Sequence, residues 1–292
     1  MNSPAGPSVV VGVDGSPLAD QAVDWAADEA ALRAAVLRIG HSWSPAPYRL
    51  PEADRRDLAE QAQKAAADLL AAAEQRAQAR RPGLAVRAEP LADEPVAGLL
   101  ELARDAELLV VGSKGTSRFA ALMLGSVSQS LAGHAHVPVA VVRPGEDGAT
   151  APGSRPVVLG VAPDEAPGPV EFAFGEAQRR RVPLRAVRSW LYPQSYPGLV
   201  AVPTEEAADR DREEGEQAEA ALAAARAAYP DVAVTVEVGL AEPAPALVEA
   251  SRNASVVVVG ARRDRRRFSM PVGPVTHRVL HHALSPVAVV PV

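Results

Sequence analysis

Between residues 112 and 128 the chain reads Gly112-Ser113-Lys114-Gly115-Thr116-Ser117-Arg118-Phe119-Ala120-Ala121-Leu122-Met123-Leu124-Gly125-Ser126-Val127-Ser128, a G-x2-G-x9-G-S spacing. Glycines at 112 and 115 let a backbone approach a ligand closely and adopt positive φ. Gly125-Ser126 opens a helix, whose unpaired N–H groups and positive dipole end favour an anion. Lys114 and Arg118 add cations. Nearer the N-terminus, Gly12-Val13-Asp14-Gly15-Ser16 closes one apolar run and His41-Ser42 closes the next. The chemistry this implies is the gripping of a phosphate by backbone amides, with Asp14 beside it. Plainer readings stand next to it. Asp14-Gly15 is also an ordinary turn pair, Gly125-Ser126 a simple helix start, and Lys114 and Arg118 solvated loop charges.

These residues depend on the elements that hold them, and those elements occur twice. Val9-Val10-Val11-Gly12-Val13 returns as Val157-Val158-Leu159-Gly160-Val161, and His41-Ser42-Trp43 as Arg188-Ser189-Trp190. Val110-Val111-Gly112 returns as Val258-Val259-Gly260, and Val137 to Val142 as Ser285 to Val290. The near-constant shift implies two copies of one domain, over 1–144 and 156–292, joined by a Gly/Pro-rich linker at 145–155. In the first copy, strands are expected at 8–13, 36–42, 84–88, 107–111 and 138–142. Helices are expected at 17–34, 54–79, 94–104 and 126–134, the first capped by Ser16 and opened by Pro17. Five strands alternating with four helices imply an α/β fold, a doubly wound parallel sheet in each copy. The first and fourth strands are then neighbours, and their carboxyl ends flank the crevice where such sheets bind ligands. The apolar runs at 139–142 and 287–290 are expected to pair with each other across a pseudo-twofold axis, since either alone is an aggregation-prone edge.

Composition excludes several classes. The 292 residues carry 30 Lys and Arg against 36 Asp and Glu, a net charge of −6, and 4% aromatics. A chain so charged and so poor in stacking residues is not expected to bind nucleic acid. Cysteine is absent, so disulfides and thiolate chemistry are out. No secretory signal or membrane-spanning run is read, and a soluble cytoplasmic protein is expected. Histidines 41, 134, 136, 277, 281 and 282 show no metal-ligand spacing with acidic partners, and Trp25, Trp43 and Trp190 read as packing residues. The nucleotide signatures G-x-x-x-x-G-K-[ST] and G-x-G-x-x-G are missing. So is the G-x-S-x-G nucleophile elbow.

With Gly12 to Ser16, His41-Ser42, the whole 112–128 segment and the closing Pro138-Val139-Ala140-Val141-Val142 in two copies, the chain resembles the universal stress protein family in its tandem form. That resemblance implies adenine nucleotide alpha hydrolase-like domains that bind ATP with Mg2+ and pair through their last strands. In a tandem chain that pairing is an intramolecular pseudo-dimer, and a further homodimer of two chains is left open. Carried over by residue, Asp14 and Ser42 lie by the adenosine part, and Gly12 and Val127 are counted among the cofactor-binding residues. Gly112, Gly115, Gly125 and Ser126 hold ribose and phosphates, with Ser113, Lys114, Thr116 and Arg118 in the loop between. A stress-response regulator responding to nucleotide is expected rather than an enzyme, because Asp14 is the only acid placed at the crevice and phosphoryl transfer needs more. A slow ATPase using Asp14 and a bound metal, and a ligand-free scaffold for a protein partner, are the alternatives.

The second copy departs from the pattern. At a fixed shift Asp14 aligns with Ala162, Gly15 with Pro163, Gly115 with Arg263 and Ser126 with Pro274. Loss of the carboxylate, a permissive glycine and a hydroxyl is expected to impair that site. The run Arg262 to Arg267 still offers charge for phosphate.

Overall fold

The Val-rich runs become strands because both sheet faces are covered, so every side chain on them finds an apolar neighbour. A computed structural model describes residues 6–42, 52–113, 124–143, 155–192, 204–261 and 272–292. Lys114, Gly115, Thr116 and Arg118, as well as Trp43, most of the linker and Arg262 to Arg267, lie outside them. The chain divides into two units, Met1–Pro144 and Gly145–Val292.

Unit 1 runs β1 (Ser8–Gly12), α1 (Pro17–Leu32), β2 (Val36–Ser42), α2 (Glu52–Arg80), β3 (Val86–Leu91), α3 (Pro95–Leu102), β4 (Leu108–Gly112), α4 (Ser126–His134) and β5 (Val139–Val142). The strand order is β3-β2-β1-β4-β5, and every pairing is parallel. Val9, Val10, Val11, Leu108, Leu109 and Val110 are wholly buried, each such side chain contributing about 1.5–3 kcal/mol. Helix α1 starts where expected, with the Ser16 hydroxyl accepting the Ala19 N–H at 3.2 Å and Pro17 in the first turn. Its sheet-facing stripe is almost all alanine (Ala19, Ala22, Ala26, Ala27 and Ala30), which lets it lie close to the strands. On its other side Asp24 pairs with Arg76, and Asp28 with Arg80 and Arg81, fastening α2.

The third strand sits at Val86–Leu91 rather than 84–88. Its register is set by β2, from Leu37 opposite Val86 to Ser42 opposite Leu91, and Arg38 bonds Glu89 at 2.7 Å. An edge strand half-exposed along its length has too weak an alternation to fix its own bounds.

Unit 2 repeats the plan with β6 (Val157–Gly160), α5 (Pro167–Arg180), β7 (Leu184–Trp190), α6 (Thr204–Ala228), β8 (Val234–Leu240), α7 (Pro243–Ser251), β9 (Val256–Ala261), α8 (Pro274–His282) and β10 (Val287–Pro291). Its strand order is β10-β9-β6-β7-β8, again parallel throughout. Phe174 is its largest fully buried side chain, packed with Leu159, Leu184 and Leu222, its ring 5.9 Å from that of Tyr229. Both units are therefore doubly wound five-stranded parallel sheets.

Candidate functional site

In unit 1 the chain leaves β1 toward β2 and β3 on one side and returns to β4 and β5 on the other. The carboxyl ends of β1 and β4 thus flank the point where the winding reverses, the place where open α/β sheets leave a crevice. Gly12 lies opposite Val111, so Gly12, Asp14 and Gly112 come together at that point.

The two strand-end glycines are explained by packing. A side chain on Gly12 would bring its first carbon 2.7 Å from Leu99 Cδ1, and one on Gly112 would come 2.9 Å from the Leu18 carbonyl oxygen. Leu99 belongs to α3 and Leu18 to the first turn of α1, so the missing side chains let both helices close over the sheet. Gly15 is required by conformation, with φ +78. That left-handed turn brings the chain from β1 into α1.

Asp14 is exposed just beyond the end of β1. Its Oδ1 accepts the Ser16 N–H at 3.0 Å, and its second oxygen has no partner among the described residues. The chain just before it is pinned twice: the Val13 N–H donates to the Gly40 carbonyl at 3.0 Å, and His41 Nδ1 lies 2.8 Å from the Val13 carbonyl. A carbonyl only accepts, so Nδ1 carries the proton there. Ser42 is turned to other use, its hydroxyl donating to the Asp93 carbonyl and tying the end of β2 to the turn before α3.

On the β4 side, Ser113 is wholly buried. Its N–H donates to the Val142 carbonyl and its carbonyl accepts the Gly125 N–H, both at 2.8 Å. Its hydroxyl has no partner among the described residues. Gly125 therefore has its amide committed inside the fold, and its φ of −66 is open to any residue. The donors left for a ligand are the N–H groups of Ser126, Val127 and Ser128, which as the first turn of α4 have no intrahelical acceptor. Ser126 is exposed and Val127 half-buried. Ser128 holds α4 in place, its hydroxyl donating to the Gly112 carbonyl at 2.7 Å.

Sequence reasoning gave His41 a structural or surface role without its partner, and assigned no role to Ser128, which stood at the end of the motif. Its signal was the repeat: Thr276 occupies the matching place and bonds the Gly260 carbonyl at 3.0 Å. The fixed-shift alignment of copy two also needs correction. Four residues separate Gly12 from Pro17 and six separate Gly160 from Pro167. The turn is two residues longer, and it carries a carboxylate after all: Glu165 Oε2 accepts the Ala162 N–H at 2.6 Å. No group of three or more His, Cys, Asp or Glu among the described residues is placed to hold a metal, and no described helix is long and apolar enough to cross a membrane.

The universal stress protein family model matches residues 7–143 and 153–291. A universal stress protein of Mycolicibacterium smegmatis is 35% identical over 302 residues, covering 97% of this chain and 96% of its own. A universal stress protein of Mycobacterium tuberculosis is 33% identical over 299 residues, 96% of this chain and 94% of its own. The crystal structure of a universal stress protein from Archaeoglobus fulgidus shares the fold at TM-score 0.71 and 17% identity, covering 97% of this chain and 98% of that one. About half of this chain (48%) is also similar, at 35% identity and TM-score 0.38, to 98% of a universal stress protein crystallised in complex with cAMP. Matched twice by one family model, and by relatives along almost its whole length, the chain belongs to the universal stress protein family as a tandem of two such domains.

Proposed function

We propose that unit 1 binds an adenine nucleotide, ATP with Mg2+, and that occupancy changes the surface it offers to a protein partner in a stress response. The observation that carries this is the juxtaposition, at the reversal point of one sheet, of uncommitted first-turn amides on α4 with the exposed carboxylate of Asp14. Amides at a helix N-terminus suit phosphate oxygens. A carboxylate suits ribose hydroxyls, which donate to it. Mg2+ would arrive on the phosphates with most of its water, as this ion usually does. Asp14 is committed to a turn through one oxygen, and His41 is committed to Val13, so the site is read as one that holds a ligand rather than one that turns it over.

The test is calorimetric titration of the full chain with ATP in Mg2+, with ADP, AMP and cAMP as competitors. Saturable binding that Asp14→Ala weakens supports the reading, and no binding at millimolar ATP defeats it. Hydrolysis followed in the same samples separates a regulator from a slow ATPase: turnover that disappears with Asp14→Ala establishes the enzyme.

A further inference from the structure

Helix α8 carries histidines at its fourth and eighth positions, His277 and His281. One turn apart, they share a helix face, and their ring centres lie 4.4 Å apart. Both are half-buried. They line an open cavity of about 580 Å3 between α8 and the first turn of α7, with Leu191, Glu242 and Arg278 also in its walls. The fold does not require the pair. Helix α4 has the same length and the same place in unit 1, with Gln129 and Gly133 at the matching positions.

His277 Nδ1 is shielded from solvent and has no hydrogen-bond partner among the described residues, a costly state for a polar atom. A ligating imidazole binds through one nitrogen and usually gives the other to the protein, so each ring needs only one for an ion. Two imidazoles sharing an ion at about 2.0–2.1 Å, with their nitrogens 90–110° apart, have ring centres roughly 4.5–5.2 Å apart. The observed 4.4 Å falls just short of that range, within reach of a small side-chain rotation. The charges around the pair also permit a cation. Glu242 lines the cavity, and its bond to Arg278 at 3.1 Å offsets the guanidinium charge there.

We infer that His277 and His281 form a metal site for a late first-row divalent ion of the Zn2+ and Cu2+ class, with water in the remaining positions. Imidazole suits these ions, whereas Mg2+ and Ca2+ take oxygen ligands. An ion held by both rings clamps successive turns of α8, the helix that Thr276 ties to the Gly260 carbonyl at 3.0 Å. The inference goes beyond the nucleotide reading of unit 1 and does not depend on it.

Calorimetric titration of the full chain with ZnCl2, without nucleotide, tests this. One Zn2+ per chain is expected to bind saturably and to raise the melting temperature by mass action, with MgCl2 unable to compete. His277→Gln installs the residue that α4 carries at that place. It and His281→Ala are each expected to weaken Zn2+ binding at least about tenfold and to remove the thermal shift. His134→Gln, at the end of α4, is expected to change neither. Cu2+ gives a second readout: its electron paramagnetic resonance spectrum should show splitting from two nitrogens in the parent chain and from one in either variant. Circular dichroism identifies which variants fold, and either one decides the question. Where neither folds, the copper spectrum of the parent decides it, and splitting from fewer than two nitrogens is a refutation. The inference is equally overturned if no Zn2+ binds at millimolar concentration, if a folded variant keeps the parent's affinity, or if His134→Gln loses as much.

Discussion

The hydroxyl of Ser128 donates to the carbonyl of Gly112 at 2.7 Å, so the first turn of α4 is bolted to the end of β4. Thr276 and Gly260 repeat the bolt in unit 2. Ser128 is 4% exposed, so Ser128→Ala deprives a partly buried carbonyl of its partner. Urea unfolding is expected to show a loss of about 1–2 kcal/mol, and Thr276→Val a similar loss in its own unit.

Gly112 and Gly125 are expected to respond oppositely to a methyl group. Gly112→Ala sets a carbon against the backbone of α1 at Leu18, which cannot give as a side-chain tip does. A loss of about 1–3 kcal/mol follows. Gly125→Ala meets no conformational penalty at φ −66 and should stay within about 0.5 kcal/mol of the parent. Paired denaturation curves decide it, and equal losses would contradict the packing explanation.

Ser126→Pro copies into unit 1 the proline that opens α8 in unit 2. Proline is tolerated at a helix's first position, so stability should hold. One charge-assisted donor disappears, worth about 1.5–3 kcal/mol, and ATP affinity should fall about tenfold or more by calorimetry. Unchanged affinity would remove α4 from the phosphate site.

Arg188 and Glu214 form an ion pair with side chains 5% and 2% exposed. Glu214→Ala strands a buried guanidinium, and a loss of about 3–5 kcal/mol is expected in the unfolding of unit 2. The double variant Arg188→Met, Glu214→Leu should recover most of that loss. The partners lie on β7 and α6, so the same measurement reports how firmly α6 is held.

The pair of Arg185 with Glu237 gives a pH signature. Its bond to Arg185 holds the Glu237 carboxyl below its ordinary value, so the folded state binds that proton less readily than the unfolded chain. The stabilisation is complete above the ordinary glutamate pKa, near 4.5, and is lost as pH falls through the lowered one. Arg185→Gln should cost under about 1 kcal/mol at neutral pH, since both side chains are partly exposed. The gap between variant and parent should narrow in stability profiles as pH falls below the ordinary glutamate value and through the lowered one.

The sequence alone determined the repeat, the alternation of strands and helices and hence the winding of each sheet, because apolar periodicity and constant spacing are properties of the chain itself. It also placed Gly12, Asp14, Gly112 and Ser126 near the carboxyl ends of β1 and β4, since right-handed crossovers leave little choice of where those ends fall. Only the tertiary structure decided which donors remain for a ligand. Spacing places Gly125 and Ser126 side by side, but the fold gives the first amide to Ser113 and leaves the second uncommitted. In unit 2 a fixed shift matched Asp14 to Ala162, whereas a turn two residues longer returns a carboxylate three positions on. Hydrogen-bond ownership is settled by distances of a few ångströms between residues far apart in the chain, and no one-dimensional pattern records them.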